Sequence, residues 1–130
     1  MGKRHYFSAI ILIISMQTTY SQNEALIGKW VMVEVIQNSE DVTADHNPEN
    51  DRFIVFYENN TFESGGTPYG KNTGKYYYDL SKNRLMLDSD AGADDDSAWK
   101  LNIEGDNMEW TGIGSEWAER FKILHTKVTK

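Results

Sequence analysis

The feature that most constrains the fold is an alternation of apolar and polar residues in the last third of the sequence. Residues 99–103 (WKLNI) and 107–111 (NMEWT) carry an apolar side chain at every second position, and a short Gly105-Asp106 turn separates them. A period of two puts these apolar side chains on one face of a β-strand. Two strands joined by so short a turn are antiparallel neighbours. The pattern therefore predicts a hairpin that buries one of its faces.

Six further segments have the character of strands, and turn residues separate them. Residues 28–37 are rich in β-branched side chains, which favour a strand. The run 53–58 (FIVFYE) is apolar at consecutive positions and predicts a strand buried on both faces. The remaining strands are expected at 61–64, 73–80, 84–88 and 117–123.

Eight strands in sequence order define the fold class. The polar segments 38–51, 65–72 and 89–97 are expected to be loops. A meander of eight antiparallel strands leaves two unpaired edges unless the first and last strands pair. The sequence therefore predicts an all-β, eight-stranded antiparallel up-and-down barrel.

The N-terminus has the composition of a secretory signal. Lys3 and Arg4 precede the apolar run 7–14 (FSAIILII), and the small residue Ser21 stands before a plausible cleavage position. We predict that residues 1–21 are a signal peptide and that residues 22–130 form the barrel domain. The mature protein is then periplasmic or secreted and keeps no membrane segment. An uncleaved N-terminal anchor is the alternative.

Charge and cysteine content exclude several functions. Removal of residues 1–21 takes away two of the 13 Lys and Arg residues and none of the 20 Asp and Glu residues, so the formal charge changes from −7 to −9. Such a surface repels nucleic acid and anionic lipid, and neither is expected as a partner. The sequence contains no cysteine, which excludes disulfide bonds and thiol chemistry.

The Gly28-Lys29-Trp30 sequence at the start of the first strand resembles that of lipocalins and fatty-acid-binding proteins. The wider pattern resembles the small lipocalin-like proteins exported by Bacteroidetes-type bacteria. The motifs of this second resemblance are the hairpin at 53–62, Gly74-Lys75-Tyr76, Leu85-x-Leu87 and Trp99-x-Leu101. The resemblance implies that Trp30 closes one end of the barrel and that an arginine near the last strand, here Arg120, lies over it. This chain departs from the family in lacking a disulfide pair and a T-D-Y signature.

The barrel interior is the main candidate site. Eight strands enclose a space that side chains fill or that holds one small ligand. The side chains expected to point into the barrel include many aromatic rings. Such a lining suits a small apolar or aromatic molecule held by ring faces. The predicted ligand-binding residues are Trp30, Tyr76, Tyr78, Trp99, Leu101, Met108, Trp110 and Phe121, with Ile103 and Ile123 on the same inward parity. The alternative is a packed barrel that binds a protein or a glycan through its three loops.

Catalytic and metal sites have no clear signature. The mature chain has two histidines, His46 and His125, and contains neither a G-x-S-x-G nor an H-E-x-x-H motif. We therefore predict no catalytic residue, no cofactor and no enzyme activity, with a Glu34–Glu119 acid–base pair as the alternative. The acidic stretch 88–96 resembles the start of a calcium loop, but Trp99 occupies the position of the bidentate glutamate. No metal ligand is assigned, and a solvated loop is favoured.

Overall fold

A computed structural model of the chain describes residues 24–129. The predicted signal peptide, residues 1–21, lies outside the described residues. The nine strands are β1 Gly28–Gln37, β2 Glu40–Asp41, β3 Phe53–Phe56, β4 Thr61–Gly65, β5 Asn72–Asp79, β6 Arg84–Ser89, β7 Ser97–Glu104, β8 Asn107–Gly112 and β9 Phe121–Lys127. The helical turns are α1 Thr43–His46 and α2 Glu116–Glu119, together with a 3₁₀ turn at Ala93–Asp95.

The sheet closes into a barrel. Each strand from β3 to β8 pairs antiparallel with the next, and β3 pairs with β1. β1 also pairs antiparallel with β9, from Trp30 opposite Lys127 to Gln37 opposite Phe121. The two-residue β2 is a side branch on the last two residues of β1. The predicted eight-stranded antiparallel up-and-down barrel is therefore confirmed.

One end of the barrel is closed by packed side chains. Trp30 is completely buried there, and its Nε1 donates a hydrogen bond to the Leu26 carbonyl at 2.9 Å. Residues 24–26, which are helical, bring Leu26 against the strands. The buried core consists of Leu26, Trp30, Ile54, Phe56, Phe62, Tyr76, Leu85, Leu101, Met108 and Trp110.

A β-bulge in β1 changes which side chains face the interior. The register with β9 shifts between Met32 and Glu34, and Val33 is left exposed. Met32 and Val35 are both buried although they are three residues apart, because the bulge inserts one residue into the alternation. Glu34 therefore lies on the outward parity.

Three sequence predictions about the strands were wrong in detail. β3 is buried on one parity only, at Ile54 and Phe56, because a barrel strand turns its other face outward. The predicted loop 38–51 contains β2 and α1. Residues 117–119 are helical instead of extended, since the Ser115 side chain accepts a hydrogen bond from the Ala118 N–H and caps the turn.

The cation over Trp30 is also different from the one predicted. Arg120 is exposed at the C-terminal end of α2, at the opposite end of the barrel from Trp30. Lys127 Nζ instead lies 5.4 Å from the centroid of the Trp30 ring. The register explains this contact, because Lys127 is the residue of β9 that pairs with Trp30.

Candidate functional site

The long connections gather at the end of the barrel opposite Trp30. They are residues 42–52, 66–71, 90–96 and 113–120, whereas the connections at the Trp30 end span two to four residues. Between them lies a cavity of about 520 Å³ that reaches into the barrel, which we call the inner cavity. A second space of about 590 Å³, the outer cleft, lies beside α2. His46, Arg52, Ser97, Trp99 and Ile123 border both spaces.

The wall of the inner cavity combines apolar and aromatic side chains with polar ones, among them Ser64, Asn72, Ser89 and Asp95. The Trp110 ring lies 5.2 Å from the Trp99 ring and 4.6 Å from the His125 ring, measured between centroids. Met32, Phe62 and Leu87 complete the wall on the barrel side. Offset and tilted rings of this kind present flat apolar surface to whatever enters the cavity.

Two buried polar atoms on this wall lack a hydrogen-bond partner among the described residues. They are Trp110 Nε1 and His125 Nδ1. Buried polar atoms are almost always hydrogen-bonded, because leaving one unpaired costs about 1–3 kcal/mol. The wall thus contains a donor and a ring nitrogen for which residues 24–129 offer no hydrogen-bond partner.

His125 is neutral in this environment. Its side chain is only 3% exposed, and burial, together with the charge of Arg52, lowers its pKa from 6.5 to about 3. A neutral imidazole carries one donor and one acceptor nitrogen. His125 can therefore donate or accept a hydrogen bond at neutral pH without introducing charge.

Arg52 brings a positive charge to the neck between the two spaces. Its Nη1 donates to the His46 carbonyl at 3.1 Å, and its guanidinium carbon lies 4.6 Å from the centroid of the Tyr69 ring. Burial lowers the pKa of this guanidinium, since a charged group is less stable away from water. Within residues 24–129, no carboxylate forms an ion pair with it.

The loop that carries Arg52 is held by a buried amide. Asn47 Nδ2 donates to the Met32 carbonyl at 3.0 Å, while its Oδ1 accepts from the backbone N–H groups of Asp51 and Arg52 at 3.1 Å each. Gly66 lets the next loop approach closely. It has a φ of +108°, and a side chain there would meet the Arg52 Cα at 2.5 Å. These contacts fix the backbone position of Arg52.

The mouth of the cavity is crossed by a chain of ring contacts. Tyr69 Oη lies 3.3 Å from His46 Nδ1, and the His46 ring meets the Phe121 ring edge-on at 5.9 Å. Trp117 on α2 packs edge-on against Phe121 at 5.2 Å and is 60% exposed. α1 and α2 therefore each place an aromatic side chain against Phe121 at the outer cleft.

The predicted ligand-binding residues divide between the two ends of the barrel. Trp99, Trp110 and Phe121 border the inner cavity or the outer cleft, as does Ile123. The other predicted residues, Trp30, Tyr76, Tyr78, Leu101 and Met108, lie in the packed core or against it, as does Ile103, and none of them borders either space.

The polar residues of the candidate site were not among the residues predicted from the sequence. The inward position of His125 could have been predicted, because the alternation of the inward residues Phe121 and Ile123 continues to it. Arg52 and His46 carry no such signal, since both precede β3 in a segment without periodicity. Only the closure of the barrel brings them to the cavity.

Several carboxylates of the acidic stretch 88–96 accept hydrogen bonds from neighbouring residues. Asp96 Oδ1 accepts from the Ser89 N–H at 2.8 Å, Asp90 Oδ2 from Thr73 Oγ1 at 2.7 Å, and Asp95 Oδ2 from Asn72 Nδ2 at 3.0 Å. Across residues 24–129, no group of three or more His, Cys, Asp or Glu side chains is arranged to hold a metal ion.

The carboxylates considered for acid–base chemistry lie away from the cavity. Glu34 is on the outward parity of β1, and Glu119 is exposed in α2. Neither borders the inner cavity or the outer cleft.

No helix in the described part of the chain has the length and apolar character needed to cross a bilayer.

Comparison with known proteins supports the barrel architecture. No family model matches the sequence, and no curated protein matches it. Among solved structures, the fold is similar to that of a DUF4847 family protein from Bacteroides vulgatus at 12% sequence identity. The match covers 85% of this chain and 99% of that chain, with a TM-score of 0.61. At this identity the likeness concerns the fold alone.

Proposed function

We propose that this chain is an exported, lipocalin-like binding protein that holds one small apolar or aromatic molecule in the inner cavity. The volume of about 520 Å³ falls within the usual range of ligand pockets, which is roughly 300–1,000 Å³. The Trp99–Trp110 wall supplies the ring surface that such a molecule would contact. The predicted signal peptide would deliver the protein to the periplasm or the exterior.

The observation that carries this proposal is the inner cavity itself, with unpaired polar atoms on an aromatic wall. A barrel of eight strands can fill its interior completely with side chains. This barrel does so at the Trp30 end but keeps open space at the other end, next to Trp110 and His125. Polar groups placed beside aromatic and apolar side chains are what fixes the orientation of a small molecule in its site.

A cavity-filling substitution tests the proposal. Ile123→Trp would place an indole in the inner cavity, whereas Lys122→Trp adds the same side chain on the exposed face of the same strand. We expect phenylnaphthylamine, an uncharged fluorescent aromatic dye, to bind the wild type and the Lys122→Trp variant. We expect the Ile123→Trp variant to lose that binding while remaining folded. Equal binding by all three proteins would place the dye outside the cavity and contradict the proposal.

A second candidate function, binding of a protein or a glycan through the loops, is favoured by exposed aromatic residues. Trp117 is 60% exposed and Tyr69 is 62% exposed, and they lie near the same opening. Binding carried by these loops would survive Ile123→Trp and be lost in Trp117→Ala. Dye binding in the cavity is expected to show the reverse pattern.

A further inference from the structure

The Arg52 guanidinium is partly buried and forms no ion pair among the described residues, although the nearby Asp51 carboxylate favours its charge. The guanidinium borders both the inner cavity and the outer cleft, and it is partly withdrawn from water. Arginine has five N–H donors, and the described residues engage its Nη1 through the His46 carbonyl. The face of the Tyr69 ring stabilises the charge further, but it accepts no hydrogen bond in the plane of the guanidinium.

The acidic residues near the cavity accept hydrogen bonds from neutral groups, and none among the described residues forms an ion pair with Arg52. Asp51, the neighbour of Arg52 in sequence, accepts from the Thr67 N–H and from Thr67 Oγ1 at 2.9 and 3.1 Å. Asp95 and Asp96 bind Asn72 and the Ser89 N–H within their own loops. The other cation on the cavity wall, Lys71, has its Nζ 3.2 Å from Glu63 Oε2. Arg52 therefore differs from Lys71 in having no carboxylate partner among the described residues.

We propose that the ligand is an amphiphilic organic monoanion, with its negatively charged head group bound by Arg52 and its apolar body against Trp99 and Trp110. This inference rests on the proposed function of the inner cavity. A planar guanidinium matches the paired oxygens of a carboxylate or sulfonate and can donate two parallel hydrogen bonds to them. Such bonds are stronger in a partly buried site than in water.

The surrounding charges restrict the ligand to one negative charge. Asp94 and Asp96 border the outer cleft and are exposed, and the whole chain has a formal charge of −7. A polyanion such as a nucleotide would extend beyond Arg52 towards these carboxylates and be repelled. A single anionic head group at the neck can pair with Arg52. A second negative charge would find no unpaired cation on the described cavity wall, since Lys71 is paired with Glu63 and Asp95 borders the same wall.

Two dyes with the same ring system test this inference. Phenylnaphthylamine is uncharged, and anilinonaphthalene sulfonate carries one sulfonate on the same skeleton. We expect Arg52→Met to weaken binding of the sulfonate dye by about tenfold or more, because it removes a charge-assisted contact, and to change binding of the neutral dye by less than about threefold. Arg120→Met is the matched control, since Arg120 is exposed and borders neither space. It should leave both affinities unchanged.

A competition on the wild type covers the case in which Arg52→Met does not fold. Naphthoate should displace phenylnaphthylamine at concentrations at least about tenfold lower than its uncharged amide, naphthamide, because only the acid pairs with the guanidinium. Equal displacement by the two compounds, or equal weakening of both dyes in Arg52→Met, would overturn the inference while the cavity proposal stands. If the wild type binds neither dye, the cavity proposal fails and the inference fails with it.

Discussion

The two ends of the barrel are built from the same strands but differ in how completely their polar and apolar groups are satisfied. At the Trp30 end, short turns join the strands, and the indole N–H of Trp30 is paired with the Leu26 carbonyl. At the other end, long loops surround open space, and the indole N–H of Trp110 has no partner among the described residues. Packing and hydrogen bonding are therefore complete where the fold is stabilised and incomplete where we propose that a ligand binds.

The difference also appears in the charged groups. The cation near Trp30, Lys127, lies over the face of an indole at a half-buried position. Arg52 is close enough to the inner cavity for its charge to contribute to the lowered pKa of His125. Native proteins tolerate unfavourable local arrangements of this kind mainly at functional sites.

The largest difference in stability is expected between substitutions of two tryptophans that lie at opposite ends of the barrel. Trp30→Ala empties a fully buried site and should lower the free energy of unfolding by about 3–5 kcal/mol. Trp99→Ala removes a half-buried ring that already borders open space, so a loss of about 1–2 kcal/mol is expected. Urea unfolding measures both values. Similar losses for the two variants would mean that the open end is packed as tightly as the closed end.

Among the polar side chains of the open end, Asn47 should contribute most to the stability of the fold. Asn47→Leu leaves the Met32 carbonyl and the N–H groups of Asp51 and Arg52 without their partner, and should destabilise the fold by about 2–3 kcal/mol. Glu49→Gln, at an exposed position of the same loop, is the control and should change little. Wild-type stability of Asn47→Leu in chemical denaturation would show that the loop is held by other contacts.

His125 should make stability depend on pH. Its pKa is about 3 in the folded chain and 6.5 when it is exposed, so below about pH 6.5 the unfolded chain binds a proton that the folded chain does not bind. Stability should therefore fall as the pH is lowered from 6.5 towards 3, by about 2 kcal/mol between pH 6.5 and about pH 5.

The variants His125→Phe and Thr126→Val isolate this effect. Phenylalanine keeps an aromatic ring beside Trp110 but cannot be protonated, so its unfolding free energy should lose this part of the pH dependence. Thr126 is the next residue on the opposite parity of β9, and its substitution should preserve the wild-type slope. Identical slopes in all three proteins would mean that His125 is protonated as easily in the folded chain as in the unfolded chain.

Trp117 should contribute least to stability. It is 60% exposed, and its contact with Phe121 is on the surface of the open end. Trp117→Ala should change the free energy of unfolding by less than about 0.5 kcal/mol, as is usual for exposed positions. Thermal unfolding of this variant beside Trp30→Ala provides the comparison. A loss near that of Trp30→Ala would assign Trp117 to the core and weaken the case for a loop-borne function.

The position of the cavity along the barrel was harder to predict from the sequence than the fold. Alternation in 99–103 and 107–111 correctly gave the inward side of β7 and β8, because parity is a local property of a strand. Parity does not tell how far along the barrel axis a side chain lies. Leu101 and Met108 were therefore grouped with Trp99 and Trp110, although only the latter pair borders the cavity.

Local sequence patterns specify most of the strands, their antiparallel order and the closure into a barrel, because short turns and a period of two leave few other ways to bury these apolar side chains. Which end is filled and which is open depends on contacts between segments that are distant in sequence. The tertiary structure also brings Arg52, from an aperiodic loop, close enough to His125, from the last strand, to lower its pKa, since the pairing of β1 with β9 joins segments far apart in sequence. Contacts across a closed barrel depend on register and bulges, which local composition does not encode.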